Sequence, residues 1–213
     1  MDLSFIVIIA ALILSIVFHE VAHGYVANWL GDPTARLSGR LTLNPLPHID
    51  LMGSIIVPGI LYLTGAGILF GWAKPVPYNP YNLRNQKWGE ALVAAAGPAT
   101  NLLIALAFGL LIRFATVPLA GPFLSIAAFI VYINILLAFF NLIPIPPLDG
   151  SKALASLLPW RAQMRFQEIA AQIQQFGLIA TFLFIFLFAN IFWQPFSALV
   201  RSVFALITGT ALF

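Results

Sequence analysis

The sequence lacks cysteine altogether and carries few charged residues. Its 213 residues include no cysteine, which excludes disulfide scaffolds, thiolate catalysis and cysteine-ligated zinc. Only 8% of the side chains are charged, whereas an ordinary soluble domain has about 25%. The sequence is therefore not that of an ordinary soluble domain, and any metal ion must be held by nitrogen and oxygen atoms.

Apolar residues are what the chain has in abundance, at 61% of the sequence. A membrane-spanning helix needs about 20 apolar residues, so this length allows five or six crossings of a lipid bilayer. The formal net charge of +3 comes from Lys and Arg scattered between apolar runs. That pattern is typical of charges that orient loops at a membrane, so nucleic acid is not expected as a partner.

The apolar runs predict an all-α polytopic membrane protein with about five transmembrane helices. The runs cover residues 3–30, 91–117, 123–143, 178–192 and 196–213. We expect one membrane-embedded domain over residues 1–213, with a core at about 3–150 and a C-terminal helical hairpin at about 172–213.

Two segments break the helical pattern. Residues 34–50 are polar and rich in turn residues, and Leu41-Thr42-Leu43 within them predicts a short β element. Residues 51–70 are apolar but interrupted by glycine and proline. Hydropathy alone does not decide whether this second segment crosses the membrane.

The residues His19, Glu20 and His23 form an H-E-x-x-H pattern inside the first apolar run. Residues four apart lie one turn above each other on a helix, so both imidazoles reach one metal ion and the glutamate stands beside it. Three ionisable groups within five residues of a membrane span are costly unless they pair or bind metal. The pattern therefore predicts a zinc site with two histidine ligands.

A catalytic zinc site takes three protein ligands and keeps one position open. The candidates for the third ligand are six carboxylates and one imidazole: Asp2, Asp32, Asp50, Glu90, Asp149, Glu168 and His48. For most of them a solvated loop charge is as good an interpretation. Asp149 differs because it follows a run that three prolines must end, and non-helical backbone at membrane depth is tolerated where it lines a cavity.

The depth of these residues constrains the topology. His23 lies roughly 25 Å or more along the first helix at 1.5 Å per residue, near its C-terminal end. Asp149 also follows the C-terminal end of a span, so the two spans must run in the same direction to meet. Segment 51–70 then cannot be a full crossing, and we predict that it is a re-entrant or hairpin membrane segment.

This topology places most of the basic residues on one face. They are Arg36, Arg40, Lys74, Arg84, Lys87, Lys152, Arg161 and Arg165. The positive-inside rule makes that face cytosolic, with Arg113 and Arg201 as exceptions. We predict a multi-pass protein of the cell membrane, with its N-terminus outside and the metal site toward the cytosolic leaflet.

Three motifs together resemble the site-2 protease family of intramembrane zinc metalloproteases. They are H-E-x-x-H at residues 19–23, Gly-Pro-Ala-Thr-Asn at 97–101 and the run at 141–150 that ends in Pro-Pro-Leu-Asp-Gly. Residues 44–50 and 71–75 resemble the compact prokaryotic branch of that family, which has no PDZ or CBS domains. The resemblance covers most of the first 150 residues, and the last third matches only as generic membrane helices.

The resemblance implies a metal site and a catalytic residue. His19, His23 and Asp149 would ligate Zn²⁺, one ion per chain, and Glu20 would act as general base and general acid. The implied activity is hydrolysis of peptide bonds in or near transmembrane segments.

Three further residues match the motifs of the family with less defined roles. Asn141 and Asn101 are candidates to bind the substrate backbone or a developing oxyanion, although polar contacts between helices explain each equally well. His48 resembles a residue of the loop motif in the family, and the alternative is a surface group.

The resemblance also implies the partners. These are the lipid bilayer and protein substrates that span it, usually trimmed beforehand by another protease. A helical substrate hides its carbonyl groups, so the scissile stretch must unwind, and residues 41–43 are a candidate edge for it to join as a strand. The sequence does not name an oligomer.

Two other readings remain open at the level of sequence. A membrane cation transporter or metal-binding membrane protein would also place His and carboxylate groups within the membrane. Such a path is expected to have polar groups at several depths, whereas here they concentrate at one, and metal passage does not require Glu20 between the histidines. The third reading is a proteolytically inactive scaffold of the same fold, against which the complete set of ligands and Glu20 argues.

Overall fold

The computed structural model describes residues 3–63, 71–85, 87–115 and 121–210. Within this part of the chain the fold is a bundle of helices without strands. The α-helices are α1 (Leu3–Trp29), α2 (Thr34–Leu37), α3 (Val57–Leu63), α4 (Gly89–Phe114), α5 (Gly121–Asn141), α6 (Asp149–Leu157), α7 (Trp160–Gln175), α8 (Leu178–Leu187) and α9 (Trp193–Thr208). Two 3₁₀ turns (Leu46–His48 and Pro80–Asn82) and two π-helical segments (Leu51–Ile56 and Phe188–Phe192) complete the regular structure.

Four helices are long and apolar enough to cross a membrane in the described part of the chain. They are Ile6–Trp29, Gly89–Phe114, Gly121–Asn141 and Phe182–Thr208. The prediction of an all-α polytopic membrane protein is therefore confirmed. The predicted number of about five spans is not supported, because the described residues form four.

The difference in span number arises at the C-terminus. We predicted a helical hairpin over about residues 172–213, with a break near 193–195. Instead α8, the π-helical segment and α9 follow one another without an intervening turn. Pro195 is tolerated because it lies in the first turn of α9, where its missing N–H costs little, and the π-helical segment before it adjusts the helix register.

The predicted β element at residues 34–50 is absent from the structure. This stretch holds α2 and one 3₁₀ turn, and Leu41-Thr42-Leu43 adopts neither helix nor strand. Polar side chains bind the local backbone instead: the Asn44 amide donates to Thr42 Oγ1 at 3.2 Å, and His48 Nε2 contacts the Thr42 carbonyl at 3.0 Å. Such local hydrogen bonds compete with strand pairing.

The chain before and after residues 64–70 comes together at Gly53 and Trp72. The apolar helical part of segment 51–70, Leu51–Leu61, is too short to cross a bilayer. After residues 64–70, which lie outside the described residues, the Trp72 amide donates to the Gly53 carbonyl at 3.0 Å. The entry and exit of the segment are thus adjacent, as the predicted hairpin requires.

Helix α4 is the centre of the bundle. It packs against α1, α5, α6 and α9. The apolar core between α4, α5 and α9 consists of Ala105, Ala128, Val131, Ile135, Val200 and Phe204. Ala105 and Ala128, the two small residues of this core, let the helices approach closely. Because α4 contacts both α1 and α6, it brings the H-E-x-x-H pattern and Asp149 to one place.

Candidate metal centre

Three of the predicted site residues meet in the structure. His19 and His23 lie one turn apart on α1, and their Nε2 atoms are 3.1 Å from each other. Asp149, the first residue of α6, brings Oδ2 to 3.1 Å from His19 Nε2 and 3.2 Å from His23 Nε2. All three residues are buried. This is the one group of three or more potential metal ligands found among the described residues.

The far sides of both imidazoles are held by hydrogen-bond acceptors. His19 Nδ1 lies 2.5 Å from the Asn101 side-chain oxygen, and His23 Nδ1 lies 2.6 Å from the Val93 carbonyl. Because these oxygens only accept, each Nδ1 carries the proton, and a neutral imidazole then has a lone pair on Nε2. Two nitrogen lone pairs and a carboxylate oxygen therefore converge on one point, an arrangement that a cation stabilises.

The spacing of the three atoms suits zinc. A tetrahedral zinc ion with ligand bonds of about 2.0–2.1 Å keeps its ligand atoms about 3.3–3.4 Å apart. The three distances here are 3.1, 3.1 and 3.2 Å. A His₂–carboxylate set also leaves a fourth position open, which is typical of catalytic zinc sites. The residues present thus fit a zinc ion.

Gly97 leaves room beside the three converging atoms. It lies on α4, and a Cβ atom at this position would be 2.5 Å from His23 Nε2 and 2.6 Å from His19 Nε2. Any side chain here would displace the imidazoles. Pro98 follows and removes a backbone donor from the same helix. This glycine therefore serves close packing.

Asn101 is the first member of a buried polar network behind His19. Its side-chain nitrogen donates to the Asn134 side-chain oxygen at 2.7 Å, and Asn134 donates in turn to Ser15 Oγ at 2.9 Å. Asn101 and Asn134 have no exposed surface. Asn101 thus contacts His19 and links helices, and its role toward the substrate backbone or an oxyanion stays a prediction.

Sequence reasoning missed Asn134 and Ser15. A signal existed for Asn134, because an amide in the middle of an apolar helix needs a partner. The signal for Ser15 was weaker, since a serine hydroxyl can also bond its own helix, and Ser15 does donate to the Ala11 carbonyl at 2.8 Å.

Glu20 lies half-buried next to the two histidines. Its Oε2 accepts a hydrogen bond of 2.9 Å from the backbone amide of Val76. Val76 belongs to residues 71–79, a non-helical segment that precedes the 3₁₀ turn at Pro80. This contact was not foreseen, because a backbone amide has no signature in the residue types.

Asp149 is positioned by a tight return of the chain after α5. Gly150 lies so close to the Leu142 and Ile143 carbonyls that a Cβ atom would collide with both. The other oxygen of the Asp149 carboxylate, Oδ1, is 3.9 Å from Lys152 Nζ. Because Oδ1 faces Lys152, Oδ2 is the oxygen that faces the two histidines.

Asn141 and His48 do not contact the three converging atoms. The Asn141 side-chain nitrogen donates to the Leu137 carbonyl of its own helix at 2.9 Å. His48 is buried, and its carbonyl accepts from the Lys74 amide at 2.8 Å. A role of His48 or of Asn141 in substrate binding stays a prediction.

The remaining carboxylates have other partners. Asp50 accepts from the Gly53 amide, Glu90 accepts from the Tyr78 hydroxyl, and Glu168 is exposed on α7. Asp2 lies outside the described residues. None of the three described groups joins the metal centre.

Asp32 binds the loops at the end of α1. It accepts hydrogen bonds from Thr34, from the Asn82 side chain and from the Asn79 amide. Burial alone would raise the pKa of Asp32, but these hydrogen bonds outweigh it and hold the pKa below the usual value. The ionised carboxylate therefore ties residue 79 to the C-terminal end of α1.

Comparison with known proteins identifies the family. The family model described as "Peptidase family M50" matches residues 113–185, which include Asp149. The protein named "Putative zinc metalloprotease YwhC" from Bacillus subtilis is 36% identical over 81% of this chain and 76% of its own length.

Two further relatives carry the same type of name. Rip2 of Mycolicibacterium smegmatis is 33% identical over 82% of this chain, and MJ0611 of Methanocaldococcus jannaschii is 32% identical over 71%. The match covers 64% of the length of Rip2 and 71% of MJ0611. No solved structure matches significantly. The chain belongs to the M50 peptidases, the site-2 protease family of membrane zinc metalloproteases.

Proposed function

We propose that this protein is an intramembrane zinc metalloendopeptidase that hydrolyses peptide bonds in or near transmembrane segments of other proteins. The observation that carries the proposal is the convergence of His19, His23 and Asp149 beside Glu20 at the end of a membrane-spanning helix. Family membership supports a metalloprotease in general terms.

In this proposal His19, His23 and Asp149 hold one Zn²⁺ per chain. When bound, zinc supplies Lewis-acid chemistry, which lowers the pKa of water and polarises a peptide carbonyl. Glu20 takes the proton from the attacking water and later delivers it to the leaving amine. Asn101 and the Val93 carbonyl keep both Nδ1 atoms protonated, so that both Nε2 lone pairs face the metal.

The substrates proposed are membrane-spanning segments, trimmed beforehand by another protease. Many large apolar side chains on the outside of the helices are exposed, including Leu103, Leu183 and Ile179, which suits contact with lipid. The proposed orientation has the N-terminus outside and the metal centre toward the cytosolic leaflet, because the basic residues concentrate on that side.

The test compares wild type with Glu20→Gln on a panel of single-span membrane segments in liposomes. We expect the wild type to cleave and the variant to lose about 10³-fold or more in rate, because the amide cannot accept the proton. Bound zinc should stay at about one ion per chain in both proteins, since three ligands remain.

The matched control is Glu168→Gln, which makes the same change at an exposed position on α7. It should cleave as fast as wild type. Cleavage by Glu20→Gln at the wild-type rate would refute the proposed mechanism. Zinc binding without cleavage of any segment would instead favour the metal-binding alternative, and ion flux through the same liposomes would test it.

A further inference from the structure

Residues 71–79 form a strap that crosses α1 at the level of Glu20. The Val76 amide donates to Glu20 Oε2 at 2.9 Å, and the Val76 side chain is 5% exposed. A Cβ atom on Gly24 would lie 2.8 Å from Val76 Cγ1, so this side chain rests directly on the helix. Glu20 and Gly24 are four residues apart and thus share one face of α1. The strap therefore contacts the helix and Glu20 together.

Arg40 binds the strap through two of its backbone carbonyls. One terminal nitrogen of its guanidinium, Nη2, donates to the Lys74 carbonyl at 2.8 Å and to the Pro75 carbonyl at 3.3 Å. Arg40 is only 8% exposed and forms no ion pair with the described carboxylates. A buried charge is costly without compensation. Here the compensation comes from the strap carbonyls, so the position of Arg40 is linked to that of the strap.

Two further hydrogen bonds hold the strap near its middle and at its C-terminal end. The Lys74 amide donates to the His48 carbonyl at 2.8 Å, and the Asn79 amide donates to Asp32 Oδ2 at 2.6 Å. The strap is thus tied on both sides of Val76. It is held against the protein through its backbone.

Pro75 and Pro77 restrict the direction of the Val76 amide. Proline fixes its own φ angle and also biases the preceding residue toward an extended conformation. Val76 lies between the two prolines, so its backbone has little freedom. The prolines also lack N–H donors, which makes the strap a poor edge for an added substrate strand. Its contacts point to a role toward Glu20 instead.

We propose that Arg40 is a positioning residue that holds the strap so that the Val76 amide orients the Glu20 carboxylate. One oxygen, Oε2, is engaged by the amide, and Oε1 has no hydrogen-bond partner among the described residues. The carboxylate is thereby held in one rotamer with Oε1 free to exchange a proton. This inference rests on the proposed function, because it assigns a role in the proton transfer performed by Glu20.

The test measures kcat, KM and bound zinc with a single-span segment that the wild type cleaves in liposomes. Val76→Pro removes the amide donor and keeps an extended backbone, and we expect kcat to fall about tenfold or more. KM and zinc content should stay within about threefold, because neither the metal ligands nor the membrane surface changes. Arg40→Gln should lower kcat similarly, and Arg40→Lys should recover part of the loss, because its ammonium still donates to a carbonyl.

Ala73→Pro is the matched control, because it places the same residue in the strap where the amide makes no hydrogen bond to the described residues. It should keep at least ten times the kcat of Val76→Pro. The double variant Arg40→Gln/Val76→Pro should be no slower than Val76→Pro alone, since both changes act through one hydrogen bond.

A cysteine pair tests the place of the strap without relying on activity. The chain has no cysteine, so Gly24→Cys/Val76→Cys introduces the sole possible disulfide. We expect it to form under mild oxidation, because the Gly24 Cβ position lies 2.8 Å from Val76 Cγ1. Gly24→Cys/Pro77→Cys, with the neighbouring exposed proline, should not form it.

The outcomes separate the two proposals. If wild type cleaves and Val76→Pro has the same kcat, or if its loss is matched by Ala73→Pro, the positioning role is overturned while the proposed function stands. If the disulfide between positions 24 and 76 does not form, the positioning role is also overturned. If wild type cleaves no segment although the disulfide forms, the proposed function has failed, and the positioning role falls with it.

Discussion

At the residue scale, the metal centre depends on groups that do not touch the metal position. Asn101 holds His19 through a hydrogen bond of 2.5 Å and is itself held by Asn134. The Val93 carbonyl does the same for His23. Such outer partners fix the tautomer and the orientation of a ligand imidazole. Their loss should therefore weaken metal binding before it changes the fold.

Asn101→Leu tests this support. We expect zinc affinity to fall about 10- to 100-fold, because His19 loses the acceptor that keeps its Nδ1 protonated. Competition with a chelator measures the affinity. Asn141→Leu is the comparison, since Asn141 bonds only its own helix among the described residues, and it should leave zinc affinity unchanged. Equal affinities for wild type and Asn101→Leu would contradict the assigned role.

The lowered pKa of Asp32 predicts how the stability of the protein depends on pH. This pKa is lowered in the folded protein, so the contribution of Asp32 to stability is full above the unfolded pKa of about 3.9 and is lost as the pH falls through the lower folded value. At neutral pH, Asp32→Asn should destabilise the protein by about 1–3 kcal/mol, because the amide side chain removes the negative charge and offers one oxygen instead of two to the Thr34, Asn79 and Asn82 donors.

The difference between Asp32→Asn and wild type should shrink as the pH falls below about 4, because Asp32 is protonated first in the unfolded wild-type chain and only at lower pH in the folded one. Denaturant unfolding in detergent at several pH values measures it. Glu168→Gln, an exposed change, should stay within about 0.5 kcal/mol of wild type at neutral pH. A difference that grows at acid pH would show that the sign is wrong.

At the element scale, α9 completes the bundle through a few buried side chains. Phe204 is 1% exposed and belongs to the core between α4, α5 and α9. On the far face of α9, Leu206 is 73% exposed. The helix thus has one face for the protein and one for lipid, which a uniformly apolar composition does not reveal.

Phe204→Ala should destabilise the protein by about 3–5 kcal/mol, because truncating a buried ring leaves a cavity between three helices. Leu206→Ala removes apolar surface that faces lipid in both states and should cost less than about 1 kcal/mol. Unfolding by a denaturing detergent compares the two variants. Equal losses would mean that α9 does not pack on α4 and α5 as described.

At the scale of the whole molecule, the direction of the helices decides whether the centre forms. Helix α4 runs antiparallel to α1, because its Val93 contacts His23 and its Asn101 contacts Ser15. The hydrogen bond between Trp72 and Gly53 indicates that the chain enters and leaves segment 51–70 on the same side of the helix bundle. The chain therefore brings His23 and Asp149 together from 126 residues apart, as their numbers give.

Cysteine labelling tests the orientation, because any introduced cysteine is unique in this chain. A membrane-impermeant maleimide on intact cells should label Gly121→Cys, at the N-terminal end of α5. It should not label Lys87→Cys or Arg165→Cys until the membrane is opened, because both lie on the basic face that the proposed orientation places in the cytosol. The reverse pattern would invert the proposed orientation.

The sequence by itself determined the membrane setting, the two histidines with Glu20, and Asp149 as their partner. Composition carries the first and helical spacing the second, while the prolines within 144–147 and the family resemblance single out Asp149. Each of these depends on residue types or on counting along the chain, which need no knowledge of contacts.

Only the tertiary structure showed that the Val93 carbonyl contacts His23, that the Val76 amide contacts Glu20 and that Ser15 pairs with Asn134. It also decided the course of the C-terminal helices. The physical reason is that every residue except proline carries the same backbone donor and acceptor, so their partners leave no mark in the residue types. Hydropathy likewise records apolar content and not backbone continuity, which is why the sequence predicts a hairpin over residues 172–213 where helical structure continues through Phe188–Phe192. The candidate ligands could be inferred from the sequence, whereas the groups that hold them in place became visible only in the folded chain.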